Sequence, residues 1–441
     1  MAPNFTFIDL FAGVGGFHHA LSHPAFGGEC VLAVEIDDQC KIVYQSAFPG
    51  TAIKGDIRSI TRTNDRDATP EEIASRVPDH DVLCAGFPCQ PFSKSGAQHG
   101  TRDQTRGTLF FDIMEIVRAK RPRFLILENV PNLVGPNHRD TWRLIKDNIR
   151  EAGYSVADEP VVLSPHRLPR PLGAPQVRER VFILAHLSDG ENPREPAPLL
   201  PKPPVPDWRP DRWTLAGWVD EEDPGTAYQL RPAEEAWLAA WDAFVRGVES
   251  DYLPGFPIWE HEWKLEPEIP ADCPPWKEDF LRKNSAFYAQ NRRFLEGWRK
   301  ETWDSAGTRV QDFPLSRRKF EWQARAVYPT RVGRTIWSLL IHLRPSGIRV
   351  KPPTYFPALV AITQTPIVGA LKRRITPQEA SLLQGIPFEP FQDANMADSD
   401  IYRQLGNAVN VGAVQLVSRV LFAHADLDWG DGITEGTVPG L

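Results

Sequence analysis

Cysteine is scarce in this chain: Cys30, Cys40, Cys84, Cys89 and Cys273 make an odd five with no Cys-x-x-Cys pair. That pattern supports neither a disulfide framework nor a zinc site. Long apolar runs are missing too, and no stretch approaches the roughly 20 residues of a membrane span. Met1-Ala2-Pro3-Asn4 puts no basic region ahead of the apolar Phe5–Leu10, so a secretory signal is not read and a cytoplasmic protein without a membrane partner is expected. Positive charge is also short, at a formal net of −7, which over the whole chain argues against nucleic acid. Binding follows the local field, however, not the average. Residues 188–280 hold 8 Lys/Arg against 21 Asp/Glu, whereas residues 281–350 hold 15 against 5. A strongly basic segment is thus embedded in an acidic chain. The 441 residues, 41% hydrophobic and 24% charged, suffice for two or three domains of ordinary globular type.

Strand-like and helical patterns alternate in the first part of the chain. Phe5–Leu10 reads as a strand and runs into a glycine turn at Gly13, Gly15 and Gly16. Val31–Val34, Asp81–Cys84, Phe124–Leu127 and Val181–Ala185 read as further strands, and Leu109–Lys120 carries apolar residues at helical spacing. This alternation predicts a doubly wound α/β domain with a parallel sheet, continuing to about Leu187. From Ser188 to Pro210 prolines are dense, as in a linker, and most of the tryptophans follow. Trp237 and Trp241 stand one helical turn apart, the spacing of a small hydrophobic core. The α/β style returns near Tyr355, Thr376-Pro377-Gln378-Glu379 has the form of a capped helix start, and a last helix is expected from Ala408 to about Phe422.

Three places carry candidate chemistry. Phe11-Ala12-Gly13-Val14-Gly15-Gly16 follows a strand, where glycines let the backbone approach a ligand and present N–H groups to it. Glu35 ends the second strand about twenty residues on, where a carboxylate can accept from both ribose hydroxyls; a solvated strand end is the alternative. Asp56 can accept from an adenine amino group, and the incomplete dinucleotide spacing favours an adenosyl ligand. Cys89 sits between Pro88 and Pro91 directly after the strand Asp81–Cys84, a position for an exposed, fixed thiol, although a lone cysteine is more often simply buried. Glu128 ends the strand Phe124–Leu127 and faces the same edge, and Gln176, Arg178 and Arg180 alternate ahead of Val181–Ala185.

Taken together, these residues resemble the DNA (cytosine-5)-methyltransferase family, of the bacterial restriction–modification type. The motifs stand in the family's order: Asp9-Leu10-Phe11-Ala12-Gly13-Val14-Gly15-Gly16, Pro88-Cys89-Gln90, Arg106-Gly107-Thr108-Leu109-Phe110, Glu128-Asn129-Val130 and Gln176-x-Arg178-x-Arg180, followed by Arg374-Ile375-Thr376-Pro377-x-Glu379 and Gln404-x-Gly406-Asn407-Ala408-Val409. The resemblance covers residues 4–187 and 355–424. Ile36, where some members carry an aromatic, and Gln378, where arginine is common, are minor departures.

The resemblance implies an α/β, Rossmann-like S-adenosylmethionine-dependent methyltransferase domain over residues 1–187. It implies a large inserted target-recognition domain over 188–354, a segment 355–426 returning to the catalytic domain, and a tail 427–441. S-adenosyl-L-methionine would be held by Phe11, Ala12, Gly13, Gly15, Gly16, Glu35, Ile36, Asp56, Ile57, Pro88, Leu109, Asn407 and Val409. The implied reaction moves a methyl group to carbon 5 of a specific cytosine in duplex DNA. Cys89 adds to carbon 6 of a flipped-out base, Glu128 steadies the ring at nitrogen 3 and the exocyclic amine, and Arg180 holds the carbonyl oxygen. Arg178 joins this catalytic group, with Gln176, as support for the loop and the flipped nucleotide. Gln90, Ser93, Ser95, Gln176, Arg317 and Arg318 are the expected DNA contacts, with a solvated helix face over an aromatic core as the alternative for the basic segment. The implied protein is a cytoplasmic, nucleoid-associated monomer that partners duplex DNA and a cognate restriction endonuclease or another defence-system protein. Two other readings remain: an RNA (tRNA) cytosine-5 methyltransferase of the same fold, and a catalytically silent DNA-binding relative.

Overall fold

The computed structural model describes residues 3–64, 66–88, 109–135, 138–188, 213–222, 224–359 and 365–424. The chain divides into two units, Met1–Arg209 with Ala380–Leu441, and Pro210–Glu379.

In the first unit, apolar runs form strands because both of their faces are covered. The elements are β1 (Phe5–Leu10), α1 (Gly16–Leu21), β2 (Gly28–Val34), α2 (Asp38–Ala47), β3 (Ile53–Lys54), β4 (Val82–Gly86), α3 (Leu109–Lys120) and β5 (Phe124–Asn129). They continue with α4 (Arg139–Glu151), β6 (Tyr154–Val156), β7 (Val161–Leu163) and β8 (Arg180–Leu187). The sheet order is β3-β2-β1-β4-β5-β8-β6, with β7 also on β8. Phe110, Ile113, Met114 and Val117 are buried on α3, one face at helical spacing. β1 has parallel neighbours on both sides, β2 and β4, so the strand order reverses there and opens a crevice at the carboxyl ends.

The expected parallel sheet extends only as far as β5; β8 runs antiparallel to β5, β6 and β7. The connections explain the change. A parallel neighbour needs a crossover of a dozen or more residues, usually a helix. Among the described residues no α-helix lies between β6 and β8.

The second unit holds α5 (Pro232–Gly247), β9 (Ile258–Trp259), α6 (Pro275–Lys300), β10 (Lys319–Trp322), β11 (Leu340–Arg344), β12 (Gly347–Lys351), β13 (Ile367–Val368) and β14 (Arg373–Arg374). Its sheet order is β9-β10-β12-β11-β13-β14. Trp241 of α5 is wholly buried, stacked on Phe320 at 4.7 Å and within 5.1 Å of Trp298. The unit reaches beyond residue 354, because β13 and β14 complete its sheet. Two-residue strands carry no readable periodicity, so the sequence places that boundary too early.

The helix start at Thr376 is a capping box: Glu379 N donates to Thr376 Oγ1 at 3.1 Å and Thr376 N to Glu379 Oε2 at 2.8 Å. It opens α7 (Pro377–Gln384), followed by α8 (Asp398–Asn407) and α9 (Val411–His424). The last helix begins later than expected, since Asn410 Oδ1 accepts from Ala413 N at 2.9 Å and caps it. α9 packs on α1, and its Phe422 ring lies 5.4 Å from Phe5 and 5.1 Å from Phe124. Within Asp398–Ala423 one 18-residue window is apolar enough on average to pass for a membrane span, but 83% of that window is buried inside the protein.

Candidate active site

The loop leaving β1 is built on positive φ values, 59° at Phe11, 54° at Gly13 and 84° at Gly15. Its glycines differ in purpose. A Cβ on Gly15 would stand 2.6 Å from the Phe48 ring, and one on Gly16 2.6 Å from both Val409 Cγ1 and Val409 O. A Cβ on Gly13 would meet nothing within 4 Å. Two glycines therefore permit close packing, and the third fronts open space. Ala12 and Val409 are buried, and Val409 comes from the link between α8 and α9. Asn407 ends α8 and is exposed.

Glu35, just past β2, accepts from Gly13 N and from Asp37 N, each at 2.7 Å. The carboxylate thus splints the glycine loop to the start of α2, and its remaining lone pairs are left for a ligand. Ile36 beside it is 70% exposed, a large apolar face turned to solvent. Asp56 is half-buried and accepts from Arg58 N at 2.9 Å, and Ile57 is buried behind it. Leu109 is half-buried at the start of α3.

Gly86 ends β4 directly opposite Glu128 on β5. Phe87 is buried and Pro88 exposed, so the chain turns outward there. Asn129, which the sequence places in a motif without a role, donates from Nδ2 to Phe87 O at 2.9 Å and accepts Val130 N at Oδ1 at 2.8 Å. It ties the end of β5 to the residues that lead to Cys89. Cys89, Gln90, Ser93 and Ser95 lie outside the described residues, as does Arg106-Gly107-Thr108. Cys30, Cys40 and Cys84 are free and buried.

Arg180 Nε stands 2.9 Å from Glu128 Oε1. Burial pushes the Glu128 carboxyl above the usual carboxylate range, against the pull of Arg180 and Arg178. The result is an acid that holds its proton more tightly than usual beside a guanidinium. Such a pair can donate to a ring nitrogen and neutralise charge that builds on a carbonyl oxygen.

Arg178 and Gln176 are placed differently from the expectation that grouped them at the flipped base. Arg178 is 1% exposed, and its Nη2 donates to Gly406 O at 2.9 Å and Ala408 O at 2.6 Å. Burial, then Arg180, pushes it down to about 9, with Glu128 opposing. Gln176 has no exposed surface, and its Oε1 accepts from Gln384 Nε2 at 2.8 Å. Both residues hold the returning C-terminal segment. Ser164, which accepts Arg178 N at Oγ at 2.8 Å, escapes sequence reasoning as well, for it carries no local signal.

The second unit uses its expected DNA-contacting arginines internally. Arg318 Nε and Arg299 Nε each stand 2.6 Å from the carboxylate of Glu260, which is fully buried. Arg299 also lies 5.0 Å over the Trp263 ring. Arg317 donates to Arg344 O at 2.8 Å and sits 5.3 Å over Trp237. All three arginines are thus engaged within this unit, Arg299 and Arg318 on one shared carboxylate and Arg317 on a backbone carbonyl and a ring.

The family model of C-5 cytosine-specific DNA methylases matches residues 5–423. The chain is 38% identical to the type II methyltransferase M.AluI of Cellulosimicrobium cellulans, covering 94% of this chain and 91% of that one. It is 28% identical to M.BanI of Aneurinibacillus aneurinilyticus over 95% and 96%. With M.HhaI of Haemophilus parahaemolyticus the identity is 41%, over 42% of this chain and 49% of that one. With that family match spanning nearly its whole length, the chain belongs to the C-5 cytosine-specific DNA methylase family and is a DNA (cytosine-5)-methyltransferase.

Proposed function

We propose that this chain methylates a cytosine flipped out of duplex DNA, through a transient bond between Cys89 and carbon 6, with S-adenosyl-L-methionine as methyl donor. The observation that carries this is the Glu128–Arg180 pair at the carboxyl edge of the sheet. It lies across β4 from the glycine loop, beside the Asn129-pinned segment that leads to Cys89.

The residues present suit the donor. Gly13 leaves open space at the end of β1, Glu35 keeps lone pairs for ribose hydroxyls, and the exposed Ile36 offers an apolar face for an adenine ring. Asp56, Pro88, Leu109 and Asn407 complete the proposed binding set. The bound sulfonium supplies an electrophilic methyl group.

The chain's own groups do the rest. Carbon 5 of cytosine is a poor nucleophile until the ring is activated. The Cys89 thiolate forms a bond to carbon 6 while Glu128 donates its proton toward nitrogen 3 and Arg180 takes the charge at the carbonyl oxygen. Carbon 5, now enamine-like, would take the methyl as the donor's S–CH3 bond breaks and its sulfur departs as a neutral thioether. Loss of the carbon 5 proton to a base, with the nitrogen 3 proton returning to Glu128, then expels the Cys89 thiolate and restores the ring. Because Cys89 cannot reach carbon 6 within the stack, the base must leave the duplex at a cost of a few kcal/mol. Gln176 and Arg178 act as positioning residues, holding the segment that bears Asn407 and Val409. Gln90, Ser93 and Ser95 are proposed to contact DNA near the nucleophile. The second unit reads the target sequence, and the protein acts in the cytoplasm as the modification half of a restriction or related defence system.

A duplex with 5-fluorocytosine at the target tests the mechanism, because fluorine in place of the departing hydrogen blocks the last step. Wild-type protein with donor should form a denaturation-resistant DNA adduct, and Cys89→Ser should form none and lose turnover. Full turnover by Cys89→Ser would end the covalent reading. Methylation of tRNA in preference to duplex DNA would favour an RNA substrate.

A further inference from the structure

With Arg317 and Arg318 engaged internally, the second unit needs another place to meet a polyanion. Its sheet supplies one. On β11 the sequence Leu340-Ile-His-Leu-Arg344 alternates, and on β12 so does Gly347-Ile-Arg-Val-Lys351. Ile341, Ile348 and Val350 are fully buried in the aromatic core, so His342, Arg344, Arg349 and Lys351 share the opposite face. The antiparallel register sets His342 directly opposite Arg349, and the parallel one sets Glu321 of β10 opposite Arg349.

Charge on this face does not balance. Glu321 is the one carboxylate paired here among the described residues, and Arg349 takes it, with Nη2 2.7 Å from Oε2. No hydrogen bond or ion pair is made by the side chains of Arg344 or Lys351 within the described residues. His342 Nε2 is buried and likewise has no hydrogen-bond partner there. All four side chains are half-buried. Arg344 stands opposite Gly347 and diagonal to Arg349, and Lys351 stands opposite Leu340 and two residues along the strand from Arg349; partial burial weakens the solvent screening that would soften the repulsion among these three cations. Burial and the neighbouring cations push both Arg344 and Lys351 below their ordinary range. Burial, then Lys351, Arg344 and Arg349, pushes His342 down to about 4. A sheet face with this arrangement is relieved by an anion bearing several oxygens.

We infer that this face of the β10–β12–β11 sheet, with Arg349 at its centre and Arg344 and Lys351 on either side, is a docking surface for the phosphate backbone of duplex DNA. The inference rests on the proposed function, which makes duplex DNA the partner, and adds where the second unit grips it. The grip is on phosphates, so it supplies affinity and register rather than base reading.

The test compares full-length wild type, Arg344→Ala/Lys351→Ala and Glu321→Gln, titrated with one duplex across a series of salt concentrations. For every phosphate that the protein no longer neutralises, the slope of log K against log salt should fall by about 0.9. The double variant is expected to bind more weakly, with a slope lower by about 1 to 2 and a melting temperature no lower than wild type. Glu321→Gln, which removes the face's carboxylate charge, is expected to bind DNA more tightly. A wild-type slope in the double variant overturns the inference. So does weaker binding accompanied by a lower melting temperature and no tightening by Glu321→Gln, since the cations would then be structural. In both cases wild-type methylation of duplex DNA leaves the proposed function standing. A wild type that methylates no duplex DNA is a failure of that reading instead.

Discussion

Glu128 combines a raised affinity for its proton with a guanidinium 2.9 Å away, and the two have opposite effects on its titration. Since its folded pKa lies above the ordinary carboxylate value, the protonated form persists at higher pH than usual. If catalysis uses that proton, turnover holds on the acid side and falls as pH rises through the raised value. Glu128→Gln, which cannot give up a proton, should lower single-turnover methylation by about 10²- to 10⁴-fold while leaving duplex affinity near wild type. Unchanged turnover would remove the acid role. This much is legible in the sequence, because Glu128 and Arg180 each end or begin a strand and stand in ordered motifs. Asn129 lies in plain view within one of those motifs, yet its bond to Phe87 O depends on two strands meeting.

Among the elements, the link between α8 and α9 and the network around Glu260 are the most sensitive. Gly16→Ala would drive a methyl group against Val409 Cγ1 and Val409 O, a side-chain and a backbone obstacle together. Overpacking of this kind costs about 1–3 kcal/mol. The variant should melt lower and bind S-adenosylmethionine more weakly, which calorimetry can measure; wild-type donor affinity would show that the link does not shape the pocket. Glu260→Ala leaves Arg299 and Arg318 without their shared buried carboxylate. Losing one partner of a buried ion pair costs about 3–5 kcal/mol. The expected outcome is a large fall in the denaturant midpoint of the second unit, and an exposed, dispensable pair would show almost none. A basic run in sequence cannot distinguish these arginines from DNA-binding ones, because Glu260 lies 58 residues from Arg318.

For the molecule as a whole, buried neutral histidines govern the acid limit. Burial pushes His18 down to about 3, and His19, His80, His166, His261 and His342 down to about 4. An unfolded histidine titrates near 6.5, so between about that pH and about 4 the unfolded chain binds protons that the folded one refuses. Their contribution to stability is complete above about 6.5 and is lost as pH falls. Thermal unfolding should therefore show a melting temperature that declines steadily from about pH 6.5 to about 4. A flat profile over that window would mean these rings charge without opposing the fold.

The sequence by itself determined the long strands β1, β2, β4, β5 and β8 of the central sheet, the capping box at Thr376 and the family to which the chain belongs. Each of these is written in neighbouring residues, as apolar runs, a cap three residues from its partner, or short motifs in fixed order. Tertiary structure alone decided which polar groups remain available. Gln176 meets Gln384 across 208 positions, and Arg178 meets Gly406 across 228. A side chain's type and spacing state what it can bond to. Only the folded chain determines whether a partner from far away has already reached it, or whether, as at Arg344 and Lys351, none among the described residues has.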